Sequence, residues 1–345
     1  MEIIMVKNEN AFTTVSYNKG VLTLLDQTKL PIEEAYIDFK TVEGVARAIE
    51  TMVVRGAPAI GVTAAYGIAL AAHRGEDIGE SHERLSRTRP TAVNLFWALD
   101  RMKSVWSQGA TLSCIEKEAH DIYKEDVESC RKIGEYGAEF IDDGATILTH
   151  CNAGALATSE YGTALSVIRA AHNQGKKIKV FANETRPLLQ GARLTAWELM
   201  KDGIDVTVVP DSALAHLLSK DLIDCAVVGS DRIAANGDVA NKIGTRSVAC
   251  LLHLHGRPLY VAAPWSTIDM SLENGAMIPI EERISKEITH IGETQVVPTG
   301  VKVFNAAFDI TPVKWVTRII TELGSTGMDI QRDLLKQLLG KGNKK

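Results

Sequence analysis

The sequence has little that could hold a metal or a disulfide framework. Its 345 residues include five cysteines, Cys114, Cys130, Cys151, Cys225 and Cys250, an odd number with no C-x-x-C spacing, which argues against a disulfide scaffold or a Cys-based zinc site. It has no helical H-x-x-x-H pattern, no P-loop and no G-x-G-x-x-G after a strand, so metal and nucleotide cofactors are disfavoured. A basic excess is also missing. The formal net charge of −5 leaves nothing to neutralise nucleic-acid phosphates over a broad surface, and the basic cluster from Lys336 to Lys345 reads as a solvated helix end. The most apolar stretch, residues 57–72, is about 16 residues long and rich in Gly and Ala. That is short for a membrane span and fits a closely packed buried helix. The segment MEIIMVKNEN has neither a long apolar core nor a small-residue cleavage site, so a cytoplasmic location without membrane attachment is the expectation.

What is present is ordinary globular composition, 45% hydrophobic and 23% charged, over a length that suits two domains. The first 40 residues read as strands with a turn at Asn18-Lys19-Gly20. Helical patterns follow: residues 41–54, the buried stretch after Pro58, a segment from Thr91, and a helix from about Ser113 to Phe140, where Ser113-Cys114-Ile115-Glu116 fits a capping box. From residue 145 short apolar runs, 145–150, 178–184, 205–211, 225–231 and 257–264, alternate with helical patterns near 157–173, 188–201, 212–220 and 242–255. A last helix is expected from Trp315. This predicts an α/β protein: a small β-sheet plus helical bundle over residues 1–130, then right-handed crossovers and a parallel sheet over 131–345.

Ligands of open parallel sheets bind outside the carboxyl ends of the strands. Those ends carry His150-Cys151-Asn152, Asn183-Glu184-Thr185-Arg186, Asp211-Ser212, Ser230-Asp231-Arg232 and Trp265-Ser266-Thr267. Cys151 lies at a strand end before a Gly-containing loop and a helix. It is either a small hydrophobe in a tight turn or a thiolate favoured by a helix N-terminus. Asp231 is either a loop-ordering carboxylate or, in a dry cleft, an acid with a raised pKa. The segment after it reads as a Gly- and Asn-rich anion-binding loop that enters a helix near Lys242, with Asn241 and Lys242 adding a donor and a charge. Arg55-Gly56-Ala57-Pro58 and Arg89-Pro90-Thr91 each open a helix beside an arginine, which suits either a phosphate or a structural ion pair. His150 neighbours Cys151, but adjacent strand residues face opposite ways, so a Cys–His dyad is not expected.

The motifs RGAPAIG (55–61), TRPTAVNL (88–95), THCNAGALAT (149–158), ETRPLLQGARLTAWEL (184–199), DRIAANGDVANKIGT (231–245), APWSTID (263–269) and FDITP (308–312) together resemble the methylthioribose-1-phosphate isomerases of methionine salvage. Ribose-1,5-bisphosphate isomerases, 5-deoxyribose-1-phosphate isomerases and regulatory subunits of a translation-initiation exchange factor are related to them. The resemblance spans nearly the whole chain. It implies a Rossmann-like second domain, a homodimer, a sugar-phosphate substrate and no cofactor. It also implies Cys151 and Asp231 as catalytic residues, with Arg55, Gly56, Ala57, Arg89, Gln190, Asn241 and Lys242 as substrate contacts. Asn183, Ser230 and Asn305-Ala306-Ala307 depart from the usual pattern, and they touch the question of what the sugar carries at carbon 5.

Overall fold

A computed structural model of the chain describes residues 12–89 and 93–342. Residues 1–11, read above for targeting signals, and Pro90 and Thr91 of the second arginine motif lie outside the described residues. The described residues open with a three-stranded antiparallel sheet, β1 (Val15–Asn18), β2 (Val21–Leu25) and β3 (Tyr36–Phe39). Five helices follow: α1 (Val42–Glu50), α2 (Ala57–Arg74), α3 (Ile78–Ser86), α4 (Val93–Trp106) and α5 (Leu112–Ala138). Thr41 caps α1 by accepting the Gly44 N–H, and Val42, Val45, Ala46 and Ile49 form its buried face. α2 is buried along most of its length. Its small residues let α4 approach closely: a Cβ at Gly61 would lie 2.7 Å from the Asn94 carbonyl oxygen.

The second half is an α/β layer. Its strands are β4 (Thr146–Thr149), β5 (Lys179–Asn183), β6 (Val206–Val209), β7 (Cys225–Val228), β10 (Leu259–Ala262), β15 (Arg318–Thr321) and β16 (Gly324–Ser325), in the sheet order β16-β15-β10-β7-β4-β5-β6. All neighbours are parallel except β15 and β16. Helices α6 (Ala164–Asn173), α7 (Ala196–Lys201), α8 (Leu214–Ser219) and α9 (Thr245–Leu254) connect the strands. Two apolar clusters cover the two faces, one around Leu148, Val228 and Val261 and the other around Ile147, Val227 and Ala262. Burial on both faces explains why these strands read as unbroken apolar runs. The order runs outward from β4 to β6 and then returns to β7 on the other side of β4, so a topological switch point lies between β4 and β7.

A four-stranded sheet flanks this layer: β8 (Arg232–Ala234), β9 (Val239–Lys242), β11 (Ile268–Asp269) and β14 (Phe308–Thr311), in the order β11-β8-β9-β14. A short helix α10 (Lys286–Thr289), a hairpin of β12 (His290–Ile291) and β13 (Thr294–Gln295), and a terminal helix α11 (Ile330–Gly342) complete the chain.

Several expectations are corrected. The segment after Trp315 forms strand β15, which pairs with β10 through Tyr260 and Arg318. A short apolar run does not distinguish strand from helix by periodicity, and here the β-branched residues win. The segment after Asp231 is the β8–β9 hairpin, so Lys242 ends a strand and the helix starts at Thr245. The helix placed at 157–173 starts only at Ala164, because Tyr161 and Gly162 both have positive φ. Thr111, whose side chain accepts the Cys114 N–H, caps α5 in place of Ser113. Helix α3 was not anticipated.

Candidate active site

A cavity of about 150 Å³ opens between the strand ends and the loop before α2. Arg55, Gly56, Ala57, Arg89, Cys151, Gln190, Asp231, Asn241 and Lys242 all line it. Cys151 follows β4 and Asp231 follows β7, the two strands that flank the switch point. Arg55 and Gly56 reach them from the other half of the chain. Gly56 has a φ of 92°, and a Cβ there would sit 2.5 Å from the Ala157 Cα, so only glycine lets the two backbones meet at the cavity.

Cys151 has a φ of 67°, a left-handed conformation that costs a non-glycine residue about 1–3 kcal/mol and persists only when its surroundings enforce it. They do so here: the Cys151 N–H donates to Thr185 Oγ1 (2.9 Å), and Thr195 Oγ1 donates to the Cys151 carbonyl (2.7 Å). Of the two readings of Cys151, the thiolate favoured by a helix N-terminus has little helix behind it, because the next helix is a single three-residue turn, Ala155–Ala157. Burial instead pushes the Cys151 thiol up, opposed by the nearby positive charges of Arg55 and Lys242. Burial likewise pushes the Asp231 carboxyl up, opposed by Lys242, Arg89 and Arg55. His150 turns away from the thiol. Asn183 Nδ2 donates to its Nδ1 (3.1 Å), so its Nε2 carries the proton and donates to the Ile243 carbonyl (2.9 Å). Burial holds this imidazole neutral.

The cations divide into two kinds. Arg283 pairs with Glu281 (2.9 Å) and Glu287 (2.5 Å), and Arg89 lies 3.9 Å from Glu281. Arg55 and Lys242 make no ion pair among the described residues. Arg55 donates to the Asn152 side chain and carbonyl, while its buried Nε has no hydrogen-bond partner among them. Lys242 donates to the Ala307 carbonyl (3.1 Å) and lies 4.5 Å from the centre of the Phe308 ring. Gln190 lines the cavity with a buried Oε1 that has no hydrogen-bond partner among the described residues. An apolar wall includes Met52, Ile60, Val93, Leu188 and Ile278.

Sequence reasoning did not single out Asn152, Glu198, Glu281 or Arg283 as site residues. Asn152 and Glu198 sit inside two of the quoted motifs, and a carboxylate between Trp197 and Leu199 on a buried helix was the available signal. Glu281 and Arg283 come from an irregular segment without periodicity. Among the described residues no cluster of His, Cys, Asp and Glu could hold a metal ion, and no helix is long and apolar enough to cross a membrane.

The sequence model of the initiation factor 2 subunit family matches residues 53–327. A methylthioribose-1-phosphate isomerase from Geotalea uraniireducens is 53% identical over 96% of this chain and 100% of its own length. The crystal structure of 5-methylthioribose 1-phosphate isomerase from Pyrococcus horikoshii superposes with a TM-score of 0.91 at 42% identity, over 98% of this chain and all of that one. A structure described as translation initiation factor eIF-2B subunit delta from A. fulgidus superposes with a TM-score of 0.86 at 45% identity, over 95% of this chain and all of that one.

Proposed function

This chain belongs to the initiation factor 2 subunit family, and from that premise we propose that it is an aldose–ketose isomerase converting 5-methylthioribose 1-phosphate to 5-methylthioribulose 1-phosphate in methionine salvage. One observation carries the reading: a thiol and a carboxyl follow the two strands at the switch point and share the cavity with two cations that lack ion-pair partners among the described residues. A sugar 1-phosphate is a locked acetal, so its ring must be opened by acid. Asp231, whose carboxyl burial pushes toward its neutral form, protonates the ring oxygen as the bond from carbon 1 to that oxygen breaks. Cys151 as thiolate removes the proton from carbon 2 and returns it to carbon 1. The hydroxyl proton on carbon 2 returns to Asp231, leaving the ketone at carbon 2 and the acid restored. Arg55 and Lys242 hold the phosphate, with Gly56, Ala57, Arg89, Gln190 and Asn241 completing the contacts. The apolar wall suits a methylthio group, whereas the remaining arginines near it already face carboxylates. That favours 5-methylthioribose 1-phosphate over ribose 1,5-bisphosphate.

The burial that raises the Cys151 thiol favours a second course, in which hydride passes from carbon 2 to carbon 1 without a base. Solvent deuterium appearing at carbon 1 of the product would sink the hydride course. The reaction itself is tested by NMR of the purified protein with 5-methylthioribose 1-phosphate, 5-deoxyribose 1-phosphate and ribose 1,5-bisphosphate in parallel. Conversion of the first to its ketose well ahead of the others is expected. Conversion of none, together with a hetero-oligomeric native mass, would favour a regulatory subunit. The proposal extends to a homodimer in the cytoplasm and to a Rossmann-like second domain over 131–345, joined to residues 1–130 within α5.

A further inference from the structure

Beneath the cavity lies a buried polar chain that the reaction does not itself use. Glu198 on α7 is fully buried, and all its contacts are donors. Oε1 accepts from Asn152 Nδ2 (2.8 Å) and the Leu156 N–H (3.1 Å); Oε2 accepts from the Ala155 N–H (2.7 Å) and Arg169 Nη2 (2.8 Å). Arg169 is held in turn by Asp202 (2.7 Å) and the Tyr161 carbonyl (2.5 Å). The Asn152 nitrogen also reaches Thr195 Oγ1 (3.2 Å). With its nitrogen fixed toward Glu198, the amide must turn its oxygen the other way, and that oxygen accepts from Arg55 Nη2. The Asn152 carbonyl lies 3.4 Å from the same nitrogen.

We propose that Glu198, acting through the Asn152 amide, is a positioning residue that aims the Arg55 guanidinium at the reacting end of the cavity. The inference rests on the reading of Cys151 as the reacting thiol. An intervening amide differs from a direct glutamate–arginine pair in one respect that matters here. A direct pair would neutralise the guanidinium, whereas the amide fixes its direction and leaves its charge to act on the thiol and on a phosphate. Arg55 is the largest of the influences opposing the effect of burial on Cys151. A mis-aimed Arg55 therefore leaves Cys151 harder to ionise and the phosphate less firmly held.

The test is alkylation of Cys151 by iodoacetamide in the full-length protein across a pH series, read by peptide mass so that the other cysteines do not interfere. Asn152→Ala is expected to slow alkylation at neutral pH about tenfold and to shift its midpoint upward, the size of effect a lost neighbouring charge produces. Arg55→Ala should do the same, and the double variant should add nothing further, since the two act as one unit. Glu198→Gln should shift the midpoint in the same direction. If that variant does not fold, the Asn152–Arg55 cycle still decides. An Asn152→Ala titration that matches the wild type overturns the proposal, as do additive effects in the double variant or a folded Glu198→Gln with an unmoved midpoint. Alkylation needs no turnover, so a protein lacking isomerase activity would count against the proposed reaction and leave this result standing.

Discussion

The two walls of the cavity treat charge in opposite ways. At the strand ends, burial pushes Cys151 and Asp231 toward their neutral forms. On the facing loop and hairpin, Arg55 and Lys242 have no ion-pair partner among the described residues, and their hydrogen bonds go to neutral oxygens. A neutral acid can give a proton and a cation can hold a phosphate, so the contrast is what the proposed division rests on, with chemistry at one wall and binding at the other. The walls are also coupled, because each cation lowers the pKa of both reacting groups.

The division breaks most readily at the reacting wall. Asp231→Asn and Cys151→Ser should each lower kcat by about 10²–10⁴, the usual size of one acid–base contribution, with KM within a few-fold of the wild type in steady-state kinetics. A large rise in KM with kcat preserved would reverse the assignment. At the cationic wall, Arg55→Ala or Lys242→Ala should raise KM by roughly 10–100-fold, since a hydrogen bond to a charged group contributes about 1.5–3 kcal/mol. The coupling is sharpened by pH. Asp231 must be protonated to act, so under the hydride course kcat/KM should fall as pH rises through its raised pKa, whereas under the thiolate course the ionisation of Cys151 offsets that fall. Arg55→Ala removes a charge that lowers this pKa, so the falling limb should move to higher pH.

Asp126 offers a smaller effect and a control away from the cavity. Burial pushes its carboxyl up to about 6, with the charge of Glu322 adding to the rise, the Ser159 N–H opposing it and no cation among the causes. The folded pKa exceeds the unfolded one, so the stability this group contributes is complete below about pH 4 and is lost as pH rises through about 6. Chemical denaturation should show a loss of about 3 kcal/mol over that window, absent in Asp126→Asn. A flat wild-type profile would mean that burial does not raise carboxyls in this fold even beside another carboxylate, which would weaken the account of Asp231.

Much of this arrangement was legible in the sequence. Strands β4 and β7 are apolar runs with polar ends, and both ends meet at the site, as the sheet rule requires. Cys151 reads in the sequence as either a small hydrophobe in a tight turn or a thiolate favoured by a following helix, and only a short turn follows it. That turn spans only Ala155–Ala157, and burial is the largest influence on the thiol, pushing it up. Lys242 was placed at a helix start because Asn236-Gly237 looked like part of a loop; Gly237 in fact turns the β8–β9 hairpin. Glu281 and Arg283 could not be read at all, since an irregular segment carries no period that says which residues turn inward.

The division of labour between the walls is tested most directly by calorimetric titration of Asp231→Asn with 5-methylthioribose 1-phosphate, with NMR of the same sample to detect product. Binding close to the wild-type KM with turnover reduced at least about a hundredfold is expected. Turnover near the wild-type rate, or loss of binding in a folded variant, would contradict it.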